Sequence, residues 1–210
     1  MTSSEKRCGF TLIEILVAVM LTGLLSALAL APVVMTVRRV VDAQRDYADM
    51  SALSRTMSFL ARDLFSAMRI APTPIIIKEH EALGGNAEDI LIFLSTSPAT
   101  QGMSSGTLVY AVSEGGILHG NVIPGLYRWV MPGVLPSEVN VETLNPEEAQ
   151  LILPGVNEFC VEVPVNSRPE DNKKDYSGEL PVGIYVRIGR GIENNENDEG
   201  RRYESVVSLP

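Results

Sequence analysis

The chain has 210 residues, of which 26 are acidic and 17 are basic, so its formal net charge is −9 at pH 7. This acidic balance argues against nucleic-acid binding, which needs a basic surface, and the length is enough for one domain with a modest core. The only cysteines are Cys8 and Cys160. We expect Cys160 to be a small buried or half-buried side chain.

An uncharged, mostly apolar run extends from Ile15 to Val37. About 20 apolar residues span a bilayer, so this run predicts a membrane anchor. Glu14 precedes it, and a carboxylate at membrane depth is costly unless it is paired, which marks it as functional. An ordinary secretory signal does not fit, because its apolar core is about 7–15 residues and ends at a small-residue cleavage site. A lipoprotein signal at Cys8 does not fit either, because charged residues precede that cysteine.

Residues Gly9 to Glu14 read GFTLIE and follow the basic pair Lys6 and Arg7. This arrangement resembles the N-terminal processing and methylation motif of type IV pilins and of the pseudopilins of type II secretion. The resemblance implies that a prepilin peptidase cleaves after Gly9 and that the new N-terminal amine, on Phe10, is then methylated. It also implies that Glu14 is the residue that directs assembly.

The resemblance further implies a removed leader of residues 1–9. The formal charges of the leader side chains sum to +1, so the mature chain carries a net charge of −10. It retains one cysteine, which excludes an intramolecular disulfide. Basic residues flank the apolar run on both sides, so charge alone leaves its orientation undecided. The family resemblance implies a single pass through the bacterial inner membrane, a cytoplasmic N-terminus before processing and a periplasmic head.

A filament explains a carboxylate at this position. The mature amine of Phe10 stays cationic after methylation, and Glu14 of one chain can pair with the amine of a neighbour inside a bundle of helices. Removing one partner of a buried pair costs about 3–5 kcal/mol. Such a pair would therefore fix the axial register between subunits, and we predict that Glu14→Ala leaves cleavage intact but blocks incorporation.

The helix is predicted to continue beyond the membrane. Apolar residues recur at steps of mostly three, four and seven, which is typical of an amphipathic helix with a narrow apolar stripe. Pro72 and Pro74 are expected to end the helix at Ile70, giving a length of about 90 Å from Phe10. The stripe residues are Val40, Tyr47, Met50, Leu53, Met57, Leu60, Leu64 and Met68.

Two parts of this helix are distinguished, a membrane and filament-core part at residues 10–37 and an amphipathic spine at residues 38–71. Charged residues, Asp63 among them, are assigned to the faces away from the stripe. We expect the spine to pack against the head, with a three-stranded coiled coil as the alternative. Pro32 removes one helical amide and predicts either a kink or a point of local melting.

After Ala71 the pattern changes to short runs of β type, broken by glycine, proline, serine and asparagine. Residues 72–210 are therefore expected to form a β-rich head, with a hairpin turn at Glu114–Gly116 and polar loops at Arg168–Ser177 and Gly189–Arg202. The predicted fold class is α+β and pilin-like, a long N-terminal helix packed on a largely antiparallel sheet. The predicted strands are Ile90–Ser95, Thr107–Ser113, Leu126–Met131, Glu158–Val165, Val182–Ile188 and Tyr203–Leu209.

Nothing in the sequence indicates catalysis. The only histidines, His80 and His119, lack the spacing of a metal site and are interpreted as surface or turn residues. No serine lies in a Gly-x-Ser-x-Gly elbow, and no glycine-rich phosphate loop occurs. The segment Glu193–Glu199 has oxygen ligands that suit calcium, but it lacks the spacing of a calcium loop, so a solvated acidic loop is favoured. We predict no enzyme activity, no catalytic residue, no cofactor and no metal.

Later features resemble the minor pseudopilins of the J type. Glu14 disfavours the K type, which typically lacks this glutamate, and the large head disfavours a major pseudopilin. The resemblance implies a tip component that helps to initiate a pseudopilus, with a prepilin peptidase, other minor and major pseudopilins and an inner-membrane assembly platform as partners. A minor pilin of a type IV pilus and a membrane-tethered cargo-binding or adhesive protein are the alternatives. The resembling segments are Leu60–Leu64, Leu153–Phe159, Leu180–Val182 and Val206–Pro210.

Overall fold

The computed structural model describes residues 11–70, 72–80, 88–96, 105–113, 122–164, 172–190 and 201–209. The chain divides into two compact units, Met1–Met50 and Ser51–Pro210. One long helix, α1, extends from Leu12 to Phe65. The strands that follow are β1 (Ile75–Lys78), β2 (Ile90–Ser95), β3 (Gly106–Ser113), β4 (Gly125–Pro132), β5 (Gln150–Pro154), β6 (Val156–Glu162), β7 (Tyr176–Gly178), β8 (Gly183–Arg190) and β9 (Arg201–Ser208).

In the first unit, α1 is exposed and apolar. Within the described residues it is the one helix that is long and apolar enough to cross a membrane. Its hydroxyl groups are satisfied locally, because those of Thr22, Ser26 and Thr36 each donate to the carbonyl four residues earlier, at 2.7–2.8 Å. This pairing allows polar side chains to remain in apolar surroundings. The helix is continuous on both sides of Pro32.

The strands of the second unit form two antiparallel sheets. The larger sheet has the order β5-β4-β3-β2-β1-β7, and the smaller has the order β6-β8-β9. The α+β, pilin-like arrangement of one long helix with antiparallel strands is thus confirmed, whereas the single sheet that we expected is divided in two. Each predicted strand is found, with ends that differ by a few residues from the predicted ones. For example, β6 begins at Val156 and ends at Glu162.

The prediction that α1 extends to Ile70 is wrong, because the helix ends at Phe65. Beyond it the backbone pairs with β2 instead: the amide of Met68 donates to the carbonyl of Leu94 at 2.9 Å, and Ala67 forms an antiparallel bridge with Ser95. Pairing with a strand therefore ends the helix before the prolines are reached.

Three short strands, β1, β5 and β7, were not predicted. The strand β7 begins within the segment that we interpreted as a polar loop and ends one residue beyond it. It exists through its pairing with β1, in which Ile75 lies opposite Gly178. The other predicted loop, Gly189–Arg202, is shorter than expected at both ends, because β8 continues to Arg190 and β9 starts at Arg201.

The main core of the second unit lies between α1 and the two sheets. Leu53, Met57, Leu60 and Leu64 are buried in it, as the predicted spine requires. Cys160 is also buried, which confirms its interpretation, and it is a free cysteine. The N-terminal part of the stripe is exposed, and Tyr47 is 79% accessible to solvent.

A second, smaller core covers the opposite face of the larger sheet. The connection between β4 and β5 folds over this face through short 3-10 helices at residues 136–138, 141–143 and 146–148. It is held there partly by Trp129, whose indole Nε1 donates to the carbonyl of Asn145 at 2.9 Å. The apolar residues beneath it are Ile92, Val109, Ala111, Tyr127 and Trp129.

Candidate functional site

The first turn of α1 carries Glu14. The carbonyl of Thr11 accepts hydrogen bonds from the amides of Glu14 and Ile15 at 3.0 and 3.3 Å, so the helix starts immediately before this carboxylate. A carboxylate at a helix N-terminus is stabilised by the helix dipole by about 0.3–1 kcal/mol. This local effect is small beside the cost of a charge at membrane depth. The side chain of Glu14 is exposed on the helix surface.

A shallow groove runs along α1 from this carboxylate. Small side chains recur in it at every fourth position, at Ala18, Thr22 and Ser26. Gly23 lies in the same groove, and a methyl group placed on its Cα would meet nothing within 4 Å. Glycine in a helix costs about 1 kcal/mol relative to alanine, and packing among the described residues gives no reason for it. Grooves of small residues are where transmembrane helices approach one another closely. The groove is lined by Glu14, Ile15, Ala18, Val19, Thr22, Gly23 and Ser26.

Several predicted site residues lie outside the described residues. Glu14 is within them, whereas the predicted cleavage and methylation positions Gly9 and Phe10 and the leader residues Lys6 and Arg7 are not. The pairing of Glu14 with an N-terminal amine therefore stays a prediction. Also outside the described residues are His119, Glu114–Gly116 and Glu193–Glu199.

In the part of the chain that the structure describes, no group of three or more histidine, cysteine, aspartate or glutamate side chains could hold a metal ion. His80 is exposed, as its interpretation as a surface residue predicts. Its backbone amide donates to the Asp89 carboxylate at 3.2 Å.

The interpretation of Asp63 as an exposed charge is wrong. It is 1% accessible, and its Oδ2 accepts hydrogen bonds from Arg128 Nε and from the Tyr110 hydroxyl, both at 2.6 Å. Burial, and next the Asp63 carboxylate, raise the pKa of Tyr110 above its usual range. One signal in the sequence could have indicated this, because Asp63 follows Leu60 by three residues and so lies on the apolar face of the helix.

Comparison with known proteins identifies the class of the N-terminal segment. Residues 5–30 match the family model of the prokaryotic N-terminal methylation motif. No curated protein matches the chain. The matched motif is the type IV pilin-like signal and indicates a protein of the pilin and pseudopilin class.

That class is structural rather than enzymatic. Its signal implies processing by a prepilin peptidase and assembly with other pilins. The long apolar helix and the motif are together consistent with a single-pass anchor in the inner membrane.

Proposed function

We propose that this protein is a minor pseudopilin of a type II secretion system, a structural component of the pseudopilus tip that helps to initiate assembly for the export of folded proteins. The observation that carries the proposal is the match of residues 5–30 to the methylation motif, with Glu14 exposed at the start of an apolar helix. Within the described residues no basic side chain forms an ion pair with Glu14.

In this proposal the prepilin peptidase removes residues 1–9 and the amine of Phe10 is methylated. Residues 10–37 then remain in the membrane or enter the filament core, residues 38–71 form the spine, and residues 72–210 form the periplasmic head. Glu14 pairs with the N-terminal amine of an adjacent subunit, and the acidic heads of the minor subunits form the tip. The energy for extension comes from a cytoplasmic ATPase and not from this chain.

The groove of small residues beside Glu14 supports close contact between subunits. A helix that packs along Ala18, Thr22 and Ser26 meets short side chains, so its backbone can approach closely enough for an N-terminal amine to reach the carboxylate. In a medium without water such a pair is also stronger than at a surface. The pair and the groove thus favour the same face of α1 as the assembly surface.

The assignment to a J-type subunit rests on weaker resemblances. The presence of Glu14 disfavours the K type, and the large head disfavours a major pseudopilin. The motif LARDL, at Leu60–Leu64, contains Asp63, which is the centre of the buried polar cluster of the second unit. The motif LPGVNEF, at Leu153–Phe159, joins the two sheets, and its Gly155 has φ of 70°, a conformation that favours glycine.

The decisive experiment compares Glu14→Ala with the wild-type chain in a native host strain that lacks the endogenous gene. We expect the variant to be cleaved and to reach the inner membrane, but to be absent from sheared filaments and to leave secretion unrestored. Asp42→Ala, which removes an exposed carboxylate from the same helix outside the apolar run, serves as the matched control. Normal incorporation of Glu14→Ala would contradict the proposal.

The secretion and pilus alternatives are separated by the phenotype of a deletion strain. Loss of a secreted enzyme from the medium with pili intact supports the secretion assignment, whereas loss of surface pili with secretion intact supports a minor pilin. An adhesive or cargo-binding protein predicts a third result, in which filaments form but cargo or surface binding is lost.

A further inference from the structure

The apolar stripe that buries α1 in the second unit does not define a unique axial position. Leu53, Met57, Leu60 and Leu64 follow one another at steps of four, three and four residues, and all four are buried. If the helix slid by one turn, about 3.6 residues, each apolar side chain would move to the position of the next one. Hydrophobic burial alone would therefore tolerate the slide.

Asp63 is the buried charged residue on this face of the helix. Its Oδ2 lies 2.6 Å from Arg128 Nε on β4 and 2.6 Å from the Tyr110 hydroxyl on β3. Tyr110 and Arg128 are opposite each other in the register of these two strands. Two neighbouring strands thus bind one carboxylate of the helix. One turn away on either side, the chain offers Phe59 and Ala67, neither of which can replace that carboxylate.

The contacts at the end of the helix are less specific. The Met68 amide pairs with the Leu94 carbonyl, and the Ser66 and Ser95 hydroxyls lie 2.7 Å apart. Backbone groups occur at every residue, so a shifted helix end can re-form the first of these bonds with another carbonyl. A carboxylate buried against an arginine cannot be re-formed in this way, because the slide would leave both charges unpaired in the core.

The cluster formed by Asp63, Tyr110 and Arg128 is not arranged for maximal stability. Arg128 is 2% accessible, and among the described residues its Nη2 is buried without a hydrogen-bond partner. The guanidinium instead has the Phe59 ring beside it, with Cζ 5.4 Å from the ring centroid. A buried ion pair with an unsatisfied donor contributes little net stability. Its specificity for one arrangement then accounts for its presence in the core.

We propose that the Asp63–Arg128 pair is a register lock, which fixes the position of the sheets along α1. The inference extends the proposed function, since subunits that touch through both helices and heads need one fixed distance between the two contacts. The lock itself concerns only the second unit, so it can be tested on purified full-length protein without any filament.

The test replaces the cluster with apolar residues of similar size, as Asp63→Leu, Tyr110→Phe and Arg128→Met together. Register is read by disulfide formation in full-length protein whose native cysteines are serine. The pair Ser66→Cys with Ser95→Cys reports the native register, because these hydroxyls are adjacent. The pair Arg62→Cys with Ser95→Cys reports a slide of one turn. Each cysteine pair is tested with the cluster intact and with the cluster replaced.

With the cluster intact we expect only the native disulfide. With the apolar triple variant we expect a folded, protease-resistant protein in which the slid disulfide gains at least about tenfold relative to the native one, because the slide then leaves no buried polar group of this cluster without its partner. The native disulfide alone in the triple variant would overturn the proposal. Failure of the triple variant to fold would overturn it too, since the pair would then be required for the fold and not for its register.

A polar variant, Asp63→Asn with Arg128→Gln, controls for charge. It keeps hydrogen-bonding groups at both positions, and we expect it to form only the native disulfide. These assays are independent of Glu14, so a failure of the filament experiment leaves them interpretable, and a failure here leaves the proposed filament role standing.

Discussion

The carboxylate of Asp89 accepts a hydrogen bond from the backbone amide of Val161 at 2.8 Å and thereby ties the two sheets together. Asp89 immediately precedes β2 in the larger sheet, and Val161 lies in β6 of the smaller one. The backbone amide of Asp89 also donates to the carbonyl of Phe159 at 2.8 Å. The seam between the sheets, where these two bonds lie, thus contains a buried acidic residue, which is 2% accessible.

The stability of the second unit should depend on pH through Asp89. Burial raises the pKa of this carboxyl, and the hydrogen bonds from Val161 and His80 offset the rise only in part. The folded state therefore binds this proton more tightly than the unfolded state. The contribution of Asp89 to stability is present in full below the unfolded pKa of about 3.9 and is lost as the pH rises through the higher folded pKa.

The measurement compares the wild type with Asp89→Asn, which cannot titrate at this position. Denaturant unfolding at a series of pH values should show the wild type losing stability relative to the variant as the pH rises from about 4. Taking the difference between the two proteins removes the contributions of the other carboxyls. A difference that stays constant with pH, or that changes in the opposite direction, would show that the pKa of Asp89 is not raised in the folded protein.

Truncation of the spine should separate its buried part from its exposed part. Leu60 is fully buried, so Leu60→Ala should destabilise the second unit by about 2–5 kcal/mol through lost contacts and a residual cavity. Tyr47 is 79% accessible, so Tyr47→Ala should change the stability by less than about 0.5 kcal/mol. Thermal or chemical unfolding of the purified chain measures both. Equal losses would favour the coiled-coil alternative for the whole stripe.

Gly23 offers a test of the groove. A Cβ atom at this position would have no neighbour within 4 Å among the described residues, so Gly23→Leu should insert in the membrane and fold normally. If another helix packs in the groove, the leucine should reduce incorporation strongly, and Gly23→Ala should reduce it less. The measurement is the amount of each variant in the filament fraction, taken from cells that contain equal amounts of the variants. Leu24→Ala, which alters an exposed residue outside the groove lining, is the control, and unchanged incorporation of Gly23→Leu would exclude close packing there.

Cys160 should be unreactive in the native protein. Its pKa is raised to about 12, first by burial and then by the nearby Asp89 and Glu162 carboxylates. Since the thiolate is the nucleophile, alkylation at pH 8 should be negligible until the protein unfolds. Mass spectrometry after iodoacetamide treatment, with and without denaturant, checks this. Rapid labelling of the folded mature chain would mean that the smaller sheet opens readily.

Local patterns predicted much of this fold. The spacing of Leu53, Met57, Leu60 and Leu64 identified the helix face that is buried, because a helix repeats every 3.6 residues whatever it packs against. The alternation in β3, β6 and β8 identified strands in the same way. The GFTLIE motif placed Glu14 correctly in the first turn of a long apolar helix, since that signal too is contained in adjacent residues.

What the sequence did not reveal depends on distant partners. Asp63 was assigned to the solvent because pattern analysis places every charge outside, whereas its partners Tyr110 and Arg128 are 47 and 65 residues away. The strand β7 has no pattern of its own and exists through its pairing with β1. The two sheets are likewise joined by a distant contact, because Asp89 and Val161 are 72 positions apart.

The smaller sheet also determines when the protein can finish folding. Val207 in β9 and Leu209, one residue beyond it, are buried in the same core as Leu53 and Leu64 of α1. During synthesis the helix is therefore complete long before the strand that closes the core over it, and such non-local pairing is slow. Until β9 has been synthesised, the apolar side chains that it covers in the folded protein stay exposed on the nascent chain, although the anchor sequence is already complete. A product lacking β9 would retain the signal for processing, yet expose this face to proteases.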